Sequence, residues 1–409
     1  GYRFGLTALK VNEKIADKKN RCRVEFAFPM FIQHWKKHAK YDLDYFRNAY
    51  KSGIENGDLI FSGHNVNLIG MTRIMLGDNI DDILEEYGKY KDFQLGGKDP
   101  FISRNYMENM RMCLCLKGLT ESRGSLNGDG FNEEEQTEYY QSENNMLGAL
   151  YSSLIRLRIN YLFGELSKCR SLVSLMQKIV NKKTALGNLH IPEFYLFHSL
   201  TLTASCSDAG FFKKILYKSR LYLNQFKMWM WAKSCPENFQ HKYDLVAAEI
   251  MSIKRNFQKT INLYHKAIEG AWQNGYRHIE AMASERLSLF YLDYSCKDEA
   301  SFFMQRAHRC YLSWGASDKA KELEEKYPAL IPREQRQQAT GTITMSGSTG
   351  SITVSGLSES MTISGTTETT GGTKMLDLFT AMKVSQIISS EIMLDRLLQM
   401  IMHESITNA

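Results

Sequence analysis

Proline is scarce, with six in 409 residues. Proline breaks helix interiors, so its scarcity leaves room for long helices. The eight cysteines are scattered, at Cys22, Cys113, Cys115, Cys169, Cys206, Cys235, Cys296 and Cys310. None forms a C-x-x-C pair, and Cys113 and Cys115 would fall on different sides of a helix. That pattern argues against a zinc finger or a disulfide framework. It fits reduced, mostly buried thiols in a cytoplasmic protein. No apolar run is long enough to span a bilayer, and no signal-peptide pattern occurs, so no membrane association is expected. An excess of one charge is also missing. The 51 Lys and Arg stand against 45 Asp and Glu, a net charge of +6. The two signs are interleaved. The short basic run Lys18-Lys19-Asn20-Arg21-Cys22-Arg23 reads as a solvated helix face or loop rather than a nucleic-acid patch.

The motifs of common catalysis are missing as well. There is no phosphate-cradling G-x-x-x-x-G-K-[ST]. Gly96-Gly97-Lys98-Asp99 lacks both the first glycine spacing and the hydroxyl. No H-R-D with a downstream D-F-G, no G-x-S-x-G and no H-E-x-x-H occurs. Asn127-Gly128-Asp129-Gly130-Phe131, followed by Glu133 to Glu135, has the centre of a calcium loop. However, Ser125 stands where the first Asp belongs and Gln136 where a bidentate Glu is required, so a plain polar loop is the expectation. His403-Glu404-Ser405-Ile406-Thr407 has the look of the phospho-acceptor box of histidine kinases. Asn408 takes the place of its usual Pro, and His403 reads as an ordinary helix residue. No catalytic, cofactor-binding or metal-binding residue is assigned.

What the chain does carry is a core-forming composition and an internal repeat. Hydrophobic residues make up 43% of it, enough to bury most of the length. Three segments match: Tyr45-Phe46-Arg47-Asn48-Ala49-Tyr50 before Asn56-Gly57-Asp58, Leu263-Tyr264-His265-Lys266-Ala267-Ile268 before Asn274-Gly275-Tyr276, and Phe303-Met304-Gln305-Arg306-Ala307-His308 before Trp314-Gly315-Ala316. In each, a bulky apolar residue stands three before an Ala, and a Gly stands eight after it. The last two copies lie 40 residues apart. The large residue and the Ala share a helical face, and the small Ala lets a neighbouring helix approach. The Gly ends the helix in the left-handed region. This is the plan of a tetratricopeptide-like helical hairpin, each pair exposing an apolar face that the next pair covers.

The spacing predicts helices over His241–Ile253, Arg277–Tyr294, Tyr151–Leu162, Leu166–Val180 and Ser301–Ser313. A charged last helix, Asp318–Tyr327, would cap the stack. Glu121–Asn145 is polar and acidic, and reads as a mobile loop or an insertion. The expected architecture is therefore an all-α, tetratricopeptide-like solenoid over residues 1–331. Residues 332–373 follow as a Ser/Thr/Gly-rich linker. Within it a nine-residue period (Met345-Ser346-Gly347, Val354-Ser355-Gly356, Ile363-Ser364-Gly365) leaves a weak three-strand meander open, with a flexible tether preferred. Residues 374–409 form an amphipathic helix, with Val384, Ile387, Leu394, Leu398 and Ile401 near heptad spacing. It suits dimerisation, or the first helix of a further domain. The sequence begins at Gly1 without Met and stops inside this helix, so both ends are expected to be cuts.

Several stretches resemble, in order, the middle of the large hybrid serine/threonine–histidine kinases. They are Phe31-Ile32-Gln33-His34-Trp35-Lys36-Lys37, Ser52-Gly53-Ile54-Glu55-Asn56-Gly57-Asp58, Phe197-His198-Ser199-Leu200-Thr201-Leu202 and Trp231-Ala232-Lys233-Ser234-Cys235-Pro236-Glu237-Asn238-Phe239. Further on come Glu269-Gly270-Ala271-Trp272-Gln273-Asn274-Gly275-Tyr276, Tyr311-Leu312-Ser313-Trp314-Gly315-Ala316 and Leu323-Glu324-Glu325-Lys326-Tyr327-Pro328. Leu376-Asp377-Leu378, Ser385-Gln386-Ile387-Ile388-Ser389-Ser390-Glu391 and Leu394-Asp395 to Leu398 resemble the entry into a GAF domain. The resemblance implies a regulatory helical region between an ATPase module and a GAF/histidine-kinase module. Its expected partners are proteins or the parent's own kinase and ATPase domains, with a homodimer possible through 374–409. It places the family's ATP sites, kinase motifs and phospho-histidine outside this chain. The alternatives are a stand-alone helical adaptor, an enzyme with an unfamiliar site, and a helical nucleic-acid binder.

Overall fold

Asparagine and glycine set the ends of the helices. Gly57, Gly77, Gly118 and Gly315 each close a helix with φ between 77 and 90°, the left-handed region that a residue without Cβ enters freely. Asp58, Asn145 and Asn256 open the helices that follow, their side chains accepting from the backbone N–H of Phe61, Gly148 and Lys259.

The computed structural model describes residues 1–97, 99–182 and 187–332. The linker at 332–373 beyond its first residue, the helix expected at 374–409 and His403 lie outside them. Among the described residues the fold is all-α, with no strand. In chain order the helices are α1 (Tyr2–Lys14), α2 (Lys18–Phe31), α3 (Asp42–Asn56), α4 (Leu59–Leu76), α5 (Ile80–Gly88), α6 (Lys91–Leu95), α7 (Pro100–Lys117), α8 (Glu133–Ser142) and α9 (Met146–Leu162). They continue as α10 (Leu166–Asn181), α11 (His190–Ala204), α12 (Phe211–Ser234), α13 (Pro236–Ile253), α14 (Phe257–Gln273), α15 (Arg277–Asp293), α16 (Lys297–Trp314) and α17 (Ser317–Lys326). None of them is long and apolar enough to cross a membrane.

The repeat marks fall where close packing needs them. Ala49, Ala267 and Ala307 lie in α3, α14 and α16 with no exposed surface. Phe46, Tyr264 and Met304, one turn before them, are buried too. Consecutive helices pack on each other, most closely α15 on α16 and α13 on α14. Buried carboxylates join the layers. Glu249 of α13 accepts from both Arg286 of α15 and Tyr264 of α14, at 2.7 to 2.9 Å. Glu280 of α15 accepts from Arg306 of α16.

One expectation needs correction. The polar segment Glu121–Asn145 is not all loop, because α8 occupies ten of its residues. Asn132 caps α8 by accepting from Glu134 and Glu135 N–H, and three glutamates in the first turn favour the positive end of the helix dipole. Tyr140 is buried and anchors it. The charged last helix is present as α17. α17 packs on both α16 and α7, and its Lys319 and Glu322 form a buried ion pair at 2.6 Å.

Turns distant in sequence also meet. Ala39 N–H donates to Asn238 Oδ1 at 2.9 Å, across 199 residues. Ser234 Oγ donates to the Trp35 carbonyl at 2.7 Å, again across 199 residues. Ser317 Oγ donates to the Lys117 carbonyl at 3.2 Å, across 200 residues. Between these, Gly77 lies so close to His278 that an added Cβ would stand 2.2 Å from its Nδ1. The chain thus meets itself across about 200 residues at several places, and across 153 and 236 residues where His34 reaches the Gly187 carbonyl and His38 the Asn274 carbonyl. A linear array in which each hairpin touches only its neighbours has no such contacts.

Candidate docking helix and buried charge centre

α12 has two apolar faces. Leu221, Asn224, Met228 and Ala232 form a buried stripe facing α11 and α13. Asn224 Nδ2 donates to Ser199 Oγ at 3.1 Å, which holds the helix on α11. On the opposite side Phe211, Phe212, Ile215, Leu216, Tyr222, Leu223, Phe226, Trp229 and Met230 are exposed. At 100° per residue these span an arc of about 140°, and up to Met230 its one polar member is Ser219. Phe211 is 74% and Phe212 85% exposed, values foreign to a core aromatic. Phe226 and Trp229 stack on each other at 5.9 Å rather than on the body of the protein.

Cations border this arc. Lys213, Arg220 and Lys227 project to one side of it, Lys214 and Lys218 to the other, and Lys233 ends the row. The 24 residues of α12 contain no carboxylate. Lys227 lies over the Tyr195 ring at 4.4 Å, and Lys233 over Trp229 at 4.5 Å. Sequence periodicity does not single out this helix, because two opposed apolar stripes blur the 3.6-residue rhythm. Its legible signal is six cations without an acid over 24 largely apolar residues.

The second concentration of chemistry is buried. Arg158 of α9, Glu193 of α11 and Lys242 of α13 meet at the centre. Glu193 pairs with Lys242 and lies 3.8 Å from Arg158. Burial lowers the Lys242 ammonium, and Glu193 works against that shift. His190, His241 and His278 surround the group, all buried. Burial pushes His190 down to about 3, and the Arg158 charge adds to it. The same desolvation holds His241 and His278 well below the ordinary imidazole value. Both ring nitrogens of His241 and His278 lack a hydrogen-bond partner among the described residues. Met71, Ile74, Asn109, Tyr151, Arg158 and His190 line a narrow cavity with room for about one water molecule. It is too small for a substrate, and the charges beside it hold helices together.

The remaining sequence candidates have structural partners. The Asn127–Phe131 turn closes on Arg111, a cation of its own chain. The buried guanidinium donates to the carbonyls of Leu126 and Asn127 and to Asp129 Oδ2, all at 2.7 to 2.8 Å. Ser125 Oγ reaches Glu133 Oε1, and Gln136 is buried, donating to Glu108 and Tyr140. Asp99 caps α7 by accepting from Phe101 N–H. In the basic run, Arg21 pairs with Glu25 and Arg23 with Asp58. All eight cysteines are free thiols, six of them buried. Among the described residues no three His, Cys, Asp or Glu side chains are grouped to hold a metal ion.

Three of the stretches that carry the kinase resemblance, at 31–37, 231–239 and 269–276, meet where distant turns come together. Trp35 stacks on Phe239 at 5.3 Å and lies 6.0 Å from Trp231. Asn238 donates to the carbonyls of His34 and Lys37 and accepts from Tyr276 OH. No known family model and no curated protein matches the chain.

Proposed function

We propose that this chain is the helical-repeat scaffold of a multidomain signal-transduction kinase. It would bind protein partners or its own ATPase module and relay their state to a downstream GAF/histidine-kinase module of a two-component system. One observation carries the scaffold reading. Helices that follow one another in the chain pack as pairs with alanines buried at their contacts, and the ionisable groups buried among them are tied to one another across helices, as in a framework. The tetratricopeptide-like solenoid is supported by the buried alanines, the left-handed Gly57, Gly275 and Gly315, and the pairing of consecutive helices. The contacts at an offset near 200 residues fit a superhelix whose turns touch. The buried charges at Glu193 and Glu249 bind helices to one another, which fits a framework rather than a reaction centre.

The test of context is the flanking sequence of the same gene. A serine/threonine kinase and ATPase upstream, with a GAF and histidine-kinase module downstream, is the expected arrangement. If neither flank encodes such a module, the kinase assignment fails and a stand-alone adaptor remains. Binding of DNA or RNA that weakens steeply with salt would favour the nucleic-acid alternative instead.

A further inference from the structure

We propose that the outward face of α12 docks on an anionic lipid surface, with the helix lying in the plane of the headgroups. This goes beyond the signalling reading, because it concerns where the scaffold is held. Charge is the first argument. α12 carries six cations and no acid, and the nearest carboxylates along the chain, Asp208 and Glu237, lie outside its two ends. Its occupant must therefore supply negative charge.

The placement of those cations is the second argument. A helix half sunk in a bilayer puts its apolar centre among acyl chains and its flanks at the level of the phosphates. Phe212 and Leu223 hold the first position, while Lys213 and Arg220 on one flank and Lys218 on the other hold the second. Long cationic stems reach the headgroups while their methylenes stay in the apolar layer. The buried stripe from Leu221 to Ala232 keeps α12 fixed on the protein, so it is already folded when it meets the surface.

Breadth is the third argument. An arc of about 140° is wider than the seam that one partner helix covers in a coiled coil. A second copy of this chain would bring like-charged rows together. Nucleic acid would meet the cations and leave Leu216 and Leu223 uncovered.

The test is sedimentation of the full chain with vesicles of phosphatidylserine and phosphatidylcholine in a one-to-two ratio, against phosphatidylcholine alone. Partitioning about tenfold stronger on the anionic vesicles, weakening as salt rises, is the expected result. The variant Phe212→Glu/Leu216→Glu/Leu223→Glu, checked for unchanged helicity by circular dichroism, should lose about tenfold or more of that binding. Should it fail to fold, Lys213→Gln/Lys218→Gln/Arg220→Gln carries the test, since it removes the preference for phosphatidylserine without touching the apolar arc. Equal partitioning on both lipids overturns the proposal. So does undiminished binding by the folded glutamate variant. A dimer in light scattering that this variant dissolves would also overturn it, because protein would then cover the face. None of these results touches the kinase context, which fails only on the flanking modules.

Discussion

Asn238 shows how one side chain can join parts of the chain that are about 200 residues apart. It is fully buried, and its amide satisfies two carbonyls and one N–H of residues 34–39 together with the Tyr276 hydroxyl. Asn238→Ala would leave those groups buried without partners. The expected loss is about 3 kcal/mol, read as a lower urea midpoint at unchanged slope. A loss under about 1 kcal/mol would mean that water replaces the amide and the junction is wet. Nothing in the sequence singles out this asparagine from the others. Its position was legible as part of a resembling stretch, but its contacts depend on residues remote in the chain. Arg111 is similar. The glycine-rich turn at Asn127–Phe131 could be read locally, while the guanidinium that its oxygens face comes from α7.

At the scale of elements, six of the seventeen α-helices among the described residues were readable, with ends close to those observed at Ile253, Leu162 and Tyr294, because caps and the 3.6-residue rhythm are local. Gly275 and Gly315 occupy equivalent turns, with φ of 79 and 90°. Their surroundings differ. A Cβ added at Gly275 meets nothing within 4 Å, whereas at Gly315 it would stand 3.1 Å from Ile80 Cβ. Gly275→Ala should cost about 1 kcal/mol from backbone strain alone. Gly315→Ala should cost more, about 2 kcal/mol, because it also presses on α5. Equal costs in thermal melts would mean that the distant turn gives way freely. The miss at α8 has a plain cause. Its sequence is polar on most positions, and its stability comes from an Asn cap, three acids in the first turn and one buried tyrosine. α12 escaped notice for another reason, because its two opposed apolar stripes blur the 3.6-residue rhythm.

At the scale of the molecule, acid should loosen the contacts at the centre. His190, His198, His241 and His278 are held below the ordinary imidazole value chiefly by burial, His190 to about 3 and His198 to about 4. Each binds its proton more readily unfolded than folded. Their contribution is therefore present above the unfolded value of about 6.5 and is lost as pH falls below it, by at most about 1.4 kcal/mol per unit for each residue. Glu108 acts the other way. Burial raises its carboxyl to about 7, so the stability it lends at low pH is lost as pH rises toward that value. The four histidines outweigh it, and the melting temperature should fall between about pH 7 and about pH 5. Glu108→Gln should steepen that fall and raise stability above about pH 7. A melting temperature that holds or climbs in acid would place these imidazoles in water.

The all-α class, six of the seventeen α-helices among the described residues and the docking alanines followed from the sequence alone, because each depends on residues within a few turns of one another. The meeting of turns 200 residues apart, the charge centre at Glu193 and the outward face of α12 were decided only by the tertiary structure. Local pattern tells which side chains want burial, and the rest of the chain settles which of them receive it. On α12 two faces qualified, and the fold had helices to cover only one.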